Sequence, residues 1–591
     1  MALVPYDSGV PTPQNPAVRS MILVECGAVC IHAALLGMAE GHCRIIARAD
    51  TPNTATPPIS DLSVGIRNAI QHLEAIAGRR LLTQGVLLSP ETATGDGADG
   101  MVIISSVGGP LRVQTLGPGL DRWGSALRRA FASLSCEPQL TPDLHPEMYP
   151  LLQAIQTSAK PHIVLLLGPG PEAIASPEAR AALTAATSAA VALVSTGTGL
   201  LNKPHGPALV FLGTPEEHSL IRTTLAGRDV TVIEPPPPKQ AGKLSSTLEH
   251  FYEQTVIASQ PGYRNARNWA STGPISATTG LGRVVRFLSQ RYSMNVLALN
   301  VGATSTLAVG ASSQGNLYTT QAHMLGVRQG AGAIARRAGL AAIGRWMTLP
   351  PMEVRLAEAI LQRMLHPYML PISATDLAID HALTREALRL IIEQGATPGG
   401  IGDLPRIDVI FGTGGVLANT PKLGQAALIL LDAVQPRGIT SLVIDDAQVA
   451  TVLGGASLLD RMAAADAVDM DAVQIQLGTC VSTVGLPPSG EPAVRVILEY
   501  ADGHRHTAEI LPGTIELLPL GVGQRARLLL YPSSGVDIGM GPGERAQAGE
   551  PIEGGRLGVI IDARGRPLAL PSDPGQRQAR LTQWHTALGL T

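Results

Sequence analysis

The chain has 591 residues, with 44 Lys and Arg against 47 Asp and Glu, a net charge of −3. This balance gives no global field favouring nucleic acid or an anionic membrane surface. Hydrophobic residues make up 45% and charged residues only 15%, which excludes a disordered chain, and the length suggests about three or four domains.

Residues 1–20 read as a flexible leader. The run Met21–Gly37 has the apolar content of a signal-peptide core, but Glu25 and His32 interrupt it and no small-residue cleavage site follows. No stretch of about 18 apolar residues occurs, so no membrane span is expected. The cysteines at 26, 30, 43, 136 and 480 form no CxxC pair, which fits a reducing cytoplasm.

From residue 21, short apolar runs alternate with helical stretches. Strands are expected at Met21–Val24, Gly85–Leu88, Met101–Ser105, Leu111–Leu116, His162–Leu167 and Ala208–Phe211, and helices at Leu62–Ile76, Ala126–Leu134 and Ala181–Leu193. Such alternation predicts an α/β class with substantially parallel sheets. Pro235–Pro238 is a stiff spacer, and the glycine clusters at 108–109, 168–170 and 196–199 read as turns. A second unit opens near 293 with the strands Val296–Leu299 and Leu307–Val309. Helical patterns follow at Ile334–Arg345, Val354–Leu365 and Thr384–Glu393, with Asp376 or Thr384 as N-caps, and strands return at Ile407–Phe411 and Leu442–Ile444. After about residue 470 the pattern becomes one of short strands, with Asp502-Gly503 as a hairpin turn, and a helix at Gln576–Leu588.

Two segments share one plan 275 residues apart. Ile22-Leu-Val-Glu25-Cys-Gly27 and Leu297-Ala-Leu-Asn300-Val-Gly302 are each an apolar strand, an acid or amide, and a glycine turn. Such turns bring backbone N–H groups close to phosphate oxygens, and an acid at the strand end can hold Mg²⁺ or orient water. A third cluster, Gly412-Thr413-Gly414-Gly415, joins a strand to a helix, as in anion and nucleotide sites. The pair His504/His506 lacks the partners of a metal shell, so no metal site is expected. Arg385-Glu386 and Asp376/Asp380 read as solvated faces. Around Asp562, the arginines of 554–567 are expected to pair with Asp562 or Asp573.

Two glycine hairpins followed by a GTGG loop resemble the actin/Hsp70/sugar-kinase ATPase superfamily. Within it, the segments ECGAVCIH (25–32), SSVGGPLRV (105–113), PGYRNARNW (261–269), LNVGATSTLAV (299–309), HMLGVRQGAG (323–332) and VIFGTGGVLANTP (409–421) resemble the glutamate mutase L family. These are accessory proteins of adenosylcobalamin-dependent methylaspartate mutase. The resemblance implies a two-lobed, duplicated ribonuclease H-like core with ATP and Mg held between the lobes. It assigns residues 21–292 to the first lobe, 293–468 to the second with a helical insert at about 335–395, and leaves 469–591 as a C-terminal β-rich domain. It places Gly27 in the first phosphate loop, Asn300, Gly302, Thr304 and Thr306 in the second, and Gly412, Thr413, Gly414 and Gly415 in the adenosine loop, with Glu25 as the catalytic acid.

The family's first loop reads Asp-x-Gly-Ser-Thr-x-Thr-Lys. Here Glu25 replaces the Asp, Ala28 and Val29 the Ser-Thr pair, Ile31 the second Thr and His32 the Lys, while Asn300 replaces the acid of the second loop. Arginine is the substitution that the chain's bias would give for lysine, since it has only five lysines. The expected function is therefore an accessory or chaperone protein of a cobalamin-dependent mutase with weak or no ATPase activity. The alternatives are a non-catalytic actin-like scaffold that self-associates or binds partners through its C-terminal β domain and, more remotely, a small-molecule kinase.

Overall fold

A computed structural model describes residues 18–141, 160–195, 207–233, 243–397, 400–469, 474–548 and 550–590. The leader to residue 17, the proline run 235–238 and the glycine cluster 196–199 lie outside them.

Two compact units are present: Val107–Arg264 with Pro398–Gly400, and the remainder of the chain. The larger unit holds two sheets of one design. In the first lobe β1 (Ser20–Cys26), β2 (Cys30–Ala39) and β3 (His42–Pro52) run antiparallel, and β4 (Gly100–Ser105) and β5 (Ile275–Ser276) add parallel to β1. The order is β3-β2-β1-β4-β5. In the second lobe β6 (Val296–Val301), β7 (Thr306–Ala311) and β8 (Leu317–Ala322) form the antiparallel meander, with β9 (Val409–Thr413) and β10 (Gly438–Ile444) parallel to β6. Two sheets of order 3-2-1-4-5 make the duplicated ribonuclease H-like core of actin-like ATPases. Apart from Ser20 and Glu25 in β1 and Asn300 in β6, both central strands are apolar, as a strand covered on both faces requires.

Helix α1 (Leu62–Ala77) starts at Asp61, whose carboxylate accepts from Ser63 N, and ends at Gly78 with φ +66°. Helix α2 (Ala277–Tyr292) is capped by Ser276 and packs with its Leu281, Val284, Val285 and Leu288 in a core shared by both lobes. The helix Ala450–Ala456 crosses it at two glycines. A Cβ on Gly454 would lie 1.8 Å from the Gly280 carbonyl oxygen, so the crossing admits no side chain there.

The helical insert carries α3 (Glu353–Leu365) and α4 (Ala374–Gly395). The cap of α4 is Ser373, which accepts from Asp376 N, rather than Asp376 or Thr384, and the helix is a full 22 residues long. Asp376 stays partly exposed, but the other three charges expected on a solvated face do not. Asp380, Arg385 and Glu386 are buried: Asp380 pairs with Arg328 and Arg363, Arg385 with Asp432, and Glu386 with Arg345 and the Trp346 indole N–H. Packing on all sides of α4 between Ile379 and Leu388 removes the exposed face that the sequence suggested there.

The C-terminal region is sheet-rich, as expected, but part of it stays in the second lobe. β11 (Ile475–Ser482), β12 (Ile515–Leu518) and β13 (Val559–Asp562) extend its sheet to eight strands, in the order β8-β7-β6-β9-β10-β11-β13-β12. Val494–Tyr500, Arg505–Ile510 and Arg525–Pro532, with two short partners, form a separate sheet, and Val484–Gly485 pairs with Val536–Asp537. At the join, Asp562 accepts from Arg564 and Arg566, as expected, and Arg564 reaches on to Asp432 at 2.7 Å.

The smaller unit is inserted between β4 and β5. Its strands Leu111–Leu116, Cys136–Thr141, Ile163–Leu167, Ala208–Leu212 and Val230–Ile233 are all parallel, in spatial order 2-1-3-4-5. The expected single first lobe is thus a lobe interrupted by a doubly wound α/β unit. Glu217, fully buried, fastens its loops by accepting from Gly170 N and Thr214 N, and forms a capping box with Thr214.

Candidate functional site

Each lobe turns from its first strand into its second by a glycine hairpin with the same hydrogen bond. Gly27 N donates to Cys30 O at 2.9 Å, and Gly302 N donates to Ser305 O at 2.9 Å. Both hairpins are braced from behind. Asn53 Nδ2 donates to Gly27 O at 2.6 Å, and the backbone N–H groups of Gly326, Val327 and Arg328 donate to Thr304, Gly302 and Ala303. A Cβ on Gly326 would fall 2.4 Å from Ala303 O, which explains the glycine in that bracing loop.

The third loop meets the second hairpin from the side. Gly414 has φ +97°, and a Cβ there would lie 2.4 Å from Val301 O and 2.9 Å from Asn300 Oδ1. Its neighbour Thr413 sits beside Asn300 in register and donates to Asp445 Oδ2 at 3.1 Å.

These loops surround a cavity of about 420 Å³. Of the residues expected from sequence, Glu25, Gly27, Asn300, Gly302, Thr304, Thr413, Gly414 and Gly415 line it. Thr306 and Gly412 do not. The Thr306 hydroxyl is spent inside β7, donating to Leu325 O at 2.6 Å, and Gly412 lies within β9, where a Cβ would meet Leu417 and Leu430 side chains at 3.2 Å. Both are structural positions.

Sequence reasoning missed Asp50, Arg328, Tyr368 and Asp380 on the wall, and Asp445 behind Thr413. Glu25 faces His32 across β1 and β2, and His32 faces Asp50 across β2 and β3, so the three form one lateral row. His32 Nδ1 lies 2.7 Å from Asp50 Oδ1. Arg328 is bidentate to Asp380, at 3.0 and 2.8 Å. Tyr368 reaches from the insert to the first lobe, its hydroxyl donating to Asn53 O at 3.1 Å.

Burial pushes the Glu25 carboxyl up to about 7, against the downward pull of His32 and with a further upward push from Asp445. Burial likewise raises Asp445 to about 6, opposed by the hydrogen bonds from Ala450 N, Val449 N and Thr413. For His32 burial disfavours the charge, but the Asp50 hydrogen bond and the fields of Glu25, Asp50 and Asp445 outweigh it and raise the imidazole above its ordinary value. The same hydrogen bond leads in holding Asp50 below the usual carboxylate range.

The backbone half of a phosphate cradle is therefore present, while of the side-chain half the second hairpin keeps Thr304 and Ser305 on the wall. The two basic side chains on the wall, His32 and Arg328, already have carboxylate partners. The first hairpin offers Ala28 and Val29 where hydroxyls would meet phosphate. Among the described residues no group of three or more His, Cys, Asp or Glu is placed to hold a metal ion. This donor set does not fit hydrolysis of Mg·ATP, which needs fixed positive charge at the transferring phosphate.

Residues 239–471 match the MutL protein family. The resemblance to the glutamate mutase L family thus holds over a segment that contains the second hairpin, the helical insert and the GTGG loop, and that begins after the first hairpin. No curated protein matches the chain. Among solved structures, the activator of 2-hydroxyisocaproyl-CoA dehydratase from Clostridium difficile is 10% identical, with 75% of this chain and 95% of that chain covered and a TM-score of 0.27. Component A of (R)-2-hydroxyglutaryl-CoA dehydratase from Acidaminococcus fermentans is 9% identical, with 76% and 99% covered and a TM-score of 0.27. Acetone carboxylase in its nucleotide-free structure is 10% identical, with 83% and 81% covered and a TM-score of 0.35. Among the described residues no helix is long and apolar enough to cross a membrane.

Proposed function

We propose that this chain is a cytoplasmic accessory protein of an adenosylcobalamin-dependent mutase that keeps the actin-like fold and has given up efficient ATP hydrolysis. The observation that carries the reading is the row Glu25–His32–Asp50. Where the related ATPases have an acid and a free lysine around phosphate, this chain has an imidazole closed onto its own carboxylate at 2.7 Å. Losing one group aimed at transition-state charge costs about 10²–10³ in rate, and here several are replaced together. The retained hairpin amides and the Gly414 loop support weak nucleotide binding without turnover. Calorimetric titration with Mg·ATP is expected to give affinity weaker than micromolar, and affinity capture on the tagged chain is expected to recover a cobalamin-binding mutase.

A second reading, a scaffold that meets partners through the C-terminal β region, rests on the outer strand Arg505–Ile510, which exposes alternate residues at the edge of its sheet. Capture of an unrelated structural protein, lost when that strand's outer residues are changed, supports the scaffold over the accessory role.

A further inference from the structure

The exposed large hydrophobic side chains of the described residues are unevenly spread: nine of them fall between Leu349 and Ile372. Helix α3 lies at the centre of this segment and is apolar on two opposite sides. One side, Leu356 and Ile360, is buried in the second lobe. The other, Val354, Leu361 and Leu365, is exposed. At about 100° per residue, spacings of seven and four residues keep these three within roughly 40° of one another, a single stripe. Met352 before the helix, 75% exposed, and Leu370 and Ile372 after it, 74% and 88% exposed, flank the stripe.

At roughly 150–200 Å² per fully exposed large apolar residue, the segment presents on the order of 1,000 Å². That total matches the area of about 800 Å² that each partner gives to a stable dimer. Its exposed charges are of both signs: Arg355 Nη1 lies 3.0 Å from Glu358 Oε2 one turn along the same helix. A face with mixed, nearly balanced charge does not repel its own copy. A straight apolar stripe on one helix is complementary to itself in antiparallel pairing, which is the requirement of a two-fold interface.

We propose that α3 and its flanking loops form an isologous dimer interface, occupied by a second copy of this chain. The interface runs to the mouth of the cleft, since Tyr368, Met369 and Leu370 of the same segment line the cavity.

Light scattering on the full chain during size-exclusion chromatography tests this. The expected mass at micromolar concentration is twice the 61.5 kDa of one chain. The double variant Leu361→Glu with Leu365→Glu is expected to halve that mass while leaving the thermal unfolding profile of the monomer folded and cooperative. A second pair, Met352→Lys with Ile372→Asp, lies outside the helix and gives the same readout if the first pair does not fold. A wild-type chain that elutes as a monomer overturns the proposal, whatever other protein it captures, and so does a dimer that folded variants leave intact.

Discussion

His32 Nδ1 sits 2.7 Å from Asp50 Oδ1, and the same His32 faces Glu25 on the strand on its other side. The position at which the family resemblance leads one to expect a lysine is therefore tied to a carboxylate of the neighbouring strand before any ligand arrives.

The first prediction concerns Glu25. Its folded value, about 7, lies above the ordinary 4.5, so the folded state keeps a proton that the unfolded state has lost between these values. The stability this supplies is full below pH 4.5 and is lost as pH rises through 7, a difference of about 3 kcal/mol. Glu25→Gln removes the titration, so the variant is expected to be more stable than wild type at pH 8 and to depend less on pH between 5 and 8. A residual slope of the same sign remains from Asp445 and His32, whose values are also raised. Thermal unfolding at several pH values checks it; parallel curves for the two proteins contradict the burial of this carboxyl.

The second concerns the join between the C-terminal strands and the second lobe. Asp432 accepts from Arg385 and from Arg564, both at 2.7 Å, and Arg564 also pairs with Asp562 and lies 4.7 Å from the centre of the Trp584 ring. Removing one member strands buried charge, which costs about 3–5 kcal/mol. Asp432→Ala is expected to lose that much in denaturant unfolding, and Arg564→Lys is not expected to rescue, because an ammonium lacks the planar fork. A loss under about 1 kcal/mol in Asp432→Ala would remove the network from this account.

The third concerns the inserted unit. Glu217 holds Gly170 N and Thr214 N with a carboxylate that meets no solvent. Glu217→Ala leaves two amides without their acceptor, at about 1–3 kcal/mol. Hydrogen exchange is expected to speed up across 107–264 while β6 and β9 keep their protection, because the two units have separate cores. Equal acceleration in both units contradicts that independence.

Much of the architecture was legible in the sequence because β1 and β6 are continuous apolar runs ending in the same acid-or-amide, spacer, glycine pattern. What was not legible depends on partners far along the chain. Asp380 and Arg385 look like a solvated helical face until Arg328 and Asp432, 52 and 47 residues away, are brought against them. Asp50 could not be matched to His32 without the strand register, which is itself shifted by an irregularity at Leu35/Leu36. The break of the first lobe by a parallel unit was hidden because both are α/β and share one periodicity. Thr306 and Gly412 fit the motif by spelling, and only the strand faces show that their side-chain positions point into packing.

Phosphate release from Mg·ATP, measured on wild type, Glu25→Ala and His32→Lys under identical conditions, tests the central claim most directly. A core that has lost its hydrolytic chemistry gives no release from wild type above that of Glu25→Ala. Steady turnover by wild type that Glu25→Ala abolishes, with micromolar affinity for the nucleotide, would contradict it.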